Sequence, residues 1–129
     1  MSFKAKLNLG GKEYNVLNCN YDLFQETDPT GRPSSVTRGG KITVTVESND
    51  DTTGVELMMD NFGKKDGSIT YTKRDTDAKL KEIKFTEAYM VKYRENFDAS
   101  GTNPLTETFT LSAKELSIGG GQHQNEWVM

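Results

Sequence analysis

Strict alternation of apolar and polar side chains is the sequence feature that most constrains how this chain folds. It is clearest in the segment 41–48, where Ile42, Val44 and Val46 alternate with threonine and glutamate residues. Successive side chains of a β-strand point to opposite faces, so the three aliphatic side chains share one face. The pattern therefore predicts a strand with these three residues as its core positions.

The same alternation recurs along the chain and predicts a protein built mainly of strands. It is found in the segments 3–9, 12–24, 68–74, 80–97 and 105–118. Gly10-Gly11 separates the first two segments and favours a hairpin. The alternation changes parity at Val16-Leu17 and again near Lys114, and we expect a β-bulge at each place.

Parity also predicts which side chains of these strands face the core. In the return strand, the inward set after the first bulge is Leu17, Cys19, Tyr21 and Leu23. In the segment 80–97, the inward set is Tyr89, Val91, Tyr93 and Phe97. Solvated faces are expected for the glutamates of the charged strands, namely Glu82, Glu87, Glu95 and Glu107.

A short helix is predicted after the strand 41–48. Asp51, Thr52 or Thr53 would cap its N-terminus, and Gly63 would end it. Its apolar stripe consists of Val55, Leu57, Met58, Met59 and Phe62. We interpret the methionine pair as core filling, because the flexible thioether side chain packs into irregular gaps.

Together these elements predict the fold class. We expect one mostly β domain over residues 1–129, with residues from about 119 onward as a flexible C-terminal tail. The architecture would be an antiparallel β-barrel of two packed sheets with one short flanking α-helix. Only 33% of the residues are hydrophobic, which fits a barrel with wetted faces rather than disorder, because those residues are periodic.

A polar loop rich in turn-forming residues precedes the core strand and carries the first candidate functional residues. These are Asp28, Gly31, Arg32, Pro33, Ser34 and Arg38. Long irregular loops in small domains tend to be functional or disordered, and we interpret this one as a surface that the barrel uses. An anion-binding nest is an alternative use of its arginines and glycines. Turn geometry with a structural salt bridge accounts for the same residues.

The sequence offers no persuasive catalytic or metal-binding set. His123 is the only histidine and Cys19 the only cysteine, which excludes the usual zinc ligands and an intrachain disulfide. We expect Cys19 to be a small core residue and His123 to be a solvated residue of the tail. The prediction is therefore a protein that is not an enzyme and needs no cofactor.

Charge and hydropathy exclude further classes of protein. The net charge of −3 argues against a nucleic-acid partner, which would require a basic surface. The chain lacks an apolar run of about 18 residues and so is not expected to insert into a membrane. Its first residues lack an apolar segment of signal-peptide length, so we expect folding in the cytoplasm.

Several segments, in their joint order, resemble one known family. They are FKAKLNLGGKEYNVLNCNY at 3–21, DPTGRPS at 28–34, RGGKITVTVES at 38–48, TFTLSAKELSIG at 108–119 and QNEW at 124–127. The chain is similar in these segments to the tube proteins of type VI secretion systems, the Hcp or TssD family, and in particular to its short subfamily. The similarity covers almost the whole chain.

This resemblance implies a function in assembly. Family members are β-barrels flanked by a helix that form hexameric rings, and the rings stack into a hollow tube. The implied partners are the protein itself, the sheath, spike and baseplate proteins, and effector proteins carried in the lumen. Contraction of the sheath would export the cytoplasmic protein out of the cell or into a neighbouring one.

The resemblance also suggests roles for the candidate residues. The helix with Val55, Leu57, Met58 and Met59 and the strand edges would form the contact within a ring. The loop from Asp28 to Arg38 would reach toward the next ring. Two alternatives remain open at this stage: a phage-tail-like tube protein and a monomeric ligand-binding β-barrel. An enzyme that uses His123 is the weakest reading.

Overall fold

The structure is a computed structural model, and it describes residues 3–50, 52–60, 63–76, 78–102 and 104–125. Within them, seven strands and one helix follow one another along the chain. They are β1 (Phe3–Leu9), β2 (Lys12–Tyr21), β3 (Lys41–Glu47), α1 (Thr53–Met59), β4 (Lys64–Lys73), β5 (Lys79–Phe97), β6 (Leu105–Ile118) and β7 (Gly121–Gln124).

The strands form one antiparallel sheet that closes on itself. Its order is β3-β2-β1-β4-β5-β6-β7, and an additional pairing of β3 with β6 closes the barrel. Closure removes the sheet edges that β3 and β6 would otherwise present. The prediction of a mostly β, antiparallel barrel with a short helix is confirmed. The wall is one continuous sheet, which differs from the predicted arrangement of two packed sheets.

Inward-facing residues of all the barrel strands fill the interior. On β3, Ile42, Val44 and Val46 are fully buried, and Val44 lies opposite Phe109 of β6. The remaining buried apolar residues are Leu7, Leu9, Tyr14, Leu57, Ile69, Ile83, Phe85, Ala88, Met90, Leu111, Ala113 and Leu116. The alternation of β3 thus places its aliphatic side chains in the core of the barrel.

Strand β2 contains the bulge that the parity change predicted. Its register with β3 shifts between Val16 and Asn18, and beyond the shift Cys19 and Tyr21 pack against the core. Burial raises the pKa of the Cys19 thiol, as expected for a small core residue. Two predicted inward residues are wrong, however. Leu17 lies at the bulge and is exposed, and Leu23 lies beyond the end of the strand and is also exposed.

The predicted inward set of β5 is partly wrong, because this strand changes parity twice. Glu87 has a φ of 51°, and its backbone N–H donates to Asp66 Oδ1 at 2.8 Å. This irregularity turns Ala88 inward, and the register of β5 with β6 then shifts between Met90 and Lys92. Met90 is therefore buried, whereas Val91 and Phe97 are exposed, Phe97 by 70%. Tyr93 packs on the core as predicted.

The bulge expected near Lys114 is not found there. The register between β5 and β6 is unbroken from Ile83↔Ile118 to Met90↔Leu111. Burial on β6 nevertheless changes face between Ala113 and Leu116. The backbone irregularity lies on the opposite strand, at Glu87, whose carboxylate is 3.7 Å from Lys114 Nζ.

Part of the expected flexible tail is a strand. Gly121–Gln124 is β7, which pairs with β6, and His123 is partly buried rather than fully solvated. Asn125 Nδ2 donates to Gly39 O at 3.1 Å and to Ala113 O at 3.0 Å, which joins the end of β7 to the start of β3. Gly40 beside it has a φ of 100°, and a Cβ there would collide with the Asn125 amide. Trp127 lies outside the described residues.

Candidate assembly surface

The polar loop between β2 and β3 is an extended arm, which we define as residues 22–40. Its two limbs run antiparallel, with bridges between Phe24 and Arg38 and between Thr27 and Pro33. Phe24 N donates to Arg38 O at 2.9 Å, and Arg38 N returns a bond to Phe24 O at 2.6 Å. The arm therefore has a backbone conformation of its own, although nearly all of it is exposed.

Asp28 organises the tip of the arm. Its Oδ1 accepts hydrogen bonds from Thr30 Oγ1 at 2.6 Å, Thr30 N at 2.9 Å and Arg32 N at 3.1 Å. Gly31 has a φ of 89°, a conformation that favours glycine. The Thr30 hydroxyl, followed by the Arg32 amide, lowers the pKa of the Asp28 carboxyl. The ionised carboxylate thus holds the turn, and the tip is preformed near neutral pH.

Further polar contacts brace the middle of the arm. Ser34 N donates to Glu26 O at 2.7 Å, and Glu26 N donates to Ser35 Oγ at 2.9 Å. Arg38 Nε lies 3.4 Å from Glu26 Oε1 in a partly exposed ion pair. Such a pair contributes little to stability, but it uses Arg38 within the arm. This arrangement favours the structural salt bridge over an anion-binding nest.

Apolar side chains of the arm face solvent in the isolated protomer. Phe24 is 56% exposed and Val36 is 76% exposed, and Leu23 is exposed as well. Scattered exposed apolar residues are common, but three on one preformed projection mark a surface suited to contact with another protein. The alternation of the strands gives no indication of Val36, and it wrongly predicts an inward side chain for Leu23.

The predicted helix residues lie on α1, but only one of them is buried. Leu57 packs into the core and Val55 is half-buried. The methionines do not fill the core as expected, because Met58 is exposed and Met59 is 76% exposed. A helix of only seven residues buries a single narrow face against the barrel, and the two methionines lie outside that face. The helix ends at Met59 rather than Gly63, and the predicted Asp51 and Phe62 lie outside the described residues.

A buried carboxylate beneath α1 joins three elements, and the sequence reading missed it. Glu107 is 2% exposed, so the expectation of a solvated side chain is wrong. Its Oε2 accepts from Ser48 Oγ at 2.7 Å, and its Oε1 accepts from Tyr93 Oη at 2.6 Å. Burial, and then the bond to Glu107, raises the pKa of Tyr93. Glu107 lies two residues before Phe109 on β6 and therefore shares its inward face. This parity is the sequence signal that indicates its burial.

Gly54 fits α1 closely against this cluster. A Cβ at Gly54 would lie 3.3 Å from Tyr93 Cε2 and 3.5 Å from Glu107 Oε1. The Tyr93 ring in turn stacks on Phe109, with centroids 6.3 Å apart and planes 6° from parallel. The buried cluster therefore sets the position of the helix on the barrel.

Removing the Tyr93 hydroxyl should destabilise the protomer. Tyr93→Phe leaves one oxygen of the buried Glu107 without its donor, which costs about 1–3 kcal/mol. Urea unfolding followed by circular dichroism measures the free energy of unfolding. Tyr21→Phe is the control, since that residue is also partly buried in the barrel wall but does not bond Glu107. Equal losses in the two variants would contradict the role assigned to the hydroxyl.

The described ranges contain no group of three or more His, Cys, Asp or Glu side chains able to hold a metal ion. No helix in this part of the chain combines the length and hydropathy needed to cross a membrane.

This chain is similar to known proteins in both sequence and fold. The family model described as hemolysin coregulated protein Hcp (TssD) matches residues 1–128. Among solved structures, Hcp1 from Flavobacterium johnsoniae has a TM-score of 0.89 and 58% identity, covering 95% of this chain and 99% of that one. No curated protein sequence matches the chain.

Two more distant structures share the fold alone. Hcp1 from Salmonella typhimurium has a TM-score of 0.74 at 13% identity and covers 95% of this chain and 92% of its own. The cryo-EM structure of the anti-feeding prophage baseplate gives a TM-score of 0.52 at 9% identity, covering 92% of this chain and 93% of that one.

Proposed function

This chain belongs to the Hcp (TssD) family, and from that premise we propose that it is the subunit of the inner tube of a type VI secretion system. Six copies would form a ring, and rings would stack into a hollow tube. The protein acts by self-association and shape, without a catalytic residue or a cofactor. The preformed arm with exposed apolar side chains is the observation that carries this proposal.

The placement of the arm and the helix suits head-to-tail assembly. The arm precedes β3 and α1 follows it, so the two surfaces lie at opposite ends of this strand. Seven residues of strand separate them by roughly 20 Å. Rings require heterologous contacts, in which a surface of one copy meets a different surface of the next. The helix and the outer edge of β7 are two such unlike surfaces, and the arm at the other end of β3 is left for contact with the adjacent ring.

Each surface receives a role in the proposed assembly. The helix, with exposed Met58 and Met59, and the strand edges form the contacts within a ring. Among the described strands, β7 pairs with β6 alone, which leaves its outer edge available to a neighbour. The arm, led by its tip at Asp28–Arg32, reaches the adjacent ring.

The remaining partners follow from this role. We infer contacts with sheath, spike and baseplate proteins, and passage of effector proteins through the lumen. The protein would be made in the cytoplasm and exported when the sheath contracts. The fold shared with the anti-feeding prophage baseplate, which is described as 6-fold symmetrised, favours a contractile machine.

The same likeness supports one alternative, a tube protein of a phage-like contractile particle. A gene neighbourhood with the sheath, spike and ATPase of a type VI system distinguishes the two. A monomeric ligand-binding barrel is disfavoured, because large side chains such as Phe85, Phe109 and Leu111 are fully buried inside the barrel. Such a protein would require an apolar cavity instead.

Purified protein should assemble without any partner. We expect size-exclusion chromatography with light scattering to give the mass of six protomers, and negative-stain microscopy to show annular particles with a central hole. A strictly monomeric protein at high concentration would overturn the proposal.

A further inference from the structure

One wall of the barrel carries an unusual polar surface, which we call the threonine face. It consists of the outward side chains in two rows that cross β2, β3, β6 and β5. The pairing of these strands places Asn20, Thr43, Thr110 and Lys92 in one row and Asn18, Thr45, Thr108 and Arg94 in the other.

The centre of the threonine face makes its hydrogen bonds internally. Thr43 Oγ1 lies 3.1 Å from Thr110 Oγ1, and Thr45 Oγ1 lies 3.0 Å from Thr108 Oγ1. Neither row contains a carboxylate or a large apolar side chain. This wall therefore has little apolar surface that would gain from being covered, unlike the arm and the helix, which expose apolar side chains.

The β5 end of the face carries two positive charges. Lys92 and Arg94 lie in adjacent rows, and the described residues place no carboxylate within ion-pair distance of either one. Lys64 and Lys114 differ in this respect, since both contact Glu87. In a chain of net charge −3, the threonine face is thus locally positive.

We propose that the threonine face lines the lumen and binds acidic polypeptide cargo, an inference that rests on the tube function proposed above. A channel wall must stay solvated after assembly, and this face meets that condition. Each copy adds Lys92 and Arg94, so a ring repeats the pair around the channel and attracts carboxylate-rich segments. The two rows offer no aromatic ring on which a base stacks, which favours a peptide over single-stranded nucleic acid.

The test compares rings of the natural protein with rings of Lys92→Gln/Arg94→Gln. The probe is a fluorescein-labelled glutamate-rich peptide, with a glutamine-rich peptide of equal length as reference, and anisotropy reports binding. Exposed ion pairs contribute modestly, so loss of both cations should weaken binding of the acidic peptide roughly tenfold. Added salt should weaken the natural protein's binding in the same direction.

The matched control is Lys6→Gln/Lys84→Gln, which removes two lysines from the β1–β4–β5 wall. It should leave peptide binding unchanged. Equal binding by the natural protein and the Lys92/Arg94 variant overturns this inference, and so does tighter binding of an oligothymidylate of equal charge. If microscopy still shows rings in either case, the proposed tube function stands and only the cargo inference is overturned. Absence of rings from the natural protein overturns the tube function, and this inference with it.

Discussion

Replacing Val44 with aspartate should unfold the barrel or destabilise it severely. Val44 is fully buried on β3 and lies between Cys19 of β2 and Phe109 of β6. A carboxylate there loses its hydration without gaining a partner, which costs about 3–5 kcal/mol, a large share of the stability of a small domain. Chemical denaturation followed by circular dichroism measures the loss, and ring formation should be lost with it.

Thr45→Asp provides the matched control, because it puts the same charge one residue away on the outer face of the same strand. That protein should fold and unfold almost as the natural one does. Should Val44→Asp not accumulate, Val44→Ala still gives a measurable result, since removing two buried methyl groups costs about 2 kcal/mol. A soluble, ring-forming Val44→Asp protein would refute the placement of Val44 in the core.

Shortening the arm should leave rings intact but prevent them from stacking. Replacing residues 27–33 with an Asn-Gly turn removes the tip organised by Asp28 and retains the bond from Ser34 N to Glu26 O. The barrel core lies elsewhere, so the protomer should fold normally. Electron microscopy should then show single rings under conditions in which the natural protein forms tubes.

A second variant tests the apolar side chains of the arm without changing its length. Phe24→Ser/Val36→Ser removes two exposed side chains, each worth about 1.5–3 kcal/mol if it becomes fully buried between rings. The loss is repeated around the ring, so stacking should fail here too. Leu80→Ser, an exposed apolar residue outside the arm, should stack normally. Normal stacking by the shortened protein, or loss of rings while it stays folded, would show that the arm has a different role.

Much of the barrel could be predicted from the sequence because its signals are local. Gly10 and Gly11 form the predicted tight hairpin, with φ values of 58° and 89°. The parity change at Val16-Leu17 likewise marks an actual register shift. In both cases residues next to one another in the chain determine the conformation.

The errors on β5 and β6 have a common cause. The two-residue period of a regular strand predicts that Val91 and Phe97 face the core. Irregularities at Glu87 and at Met90–Lys92 instead shift the strand relative to its neighbours. The charge of Glu107 predicts a solvated side chain, whereas its position on β6 gives it the parity of the core residues. Its burial depends on Ser48, which is 59 positions away in the sequence, and on Tyr93.

By itself, the sequence determined which stretches become strands, where the chain reverses, and which face of β3 enters the core. These properties follow from the two-residue period of the pleat and from glycine at turns. Tertiary structure alone decided that β3 closes on β6, that the loop is a braced arm and that residues 121–124 join the sheet. Those outcomes depend on pairing between distant segments and on polar partners that burial brings together, neither of which local periodicity encodes.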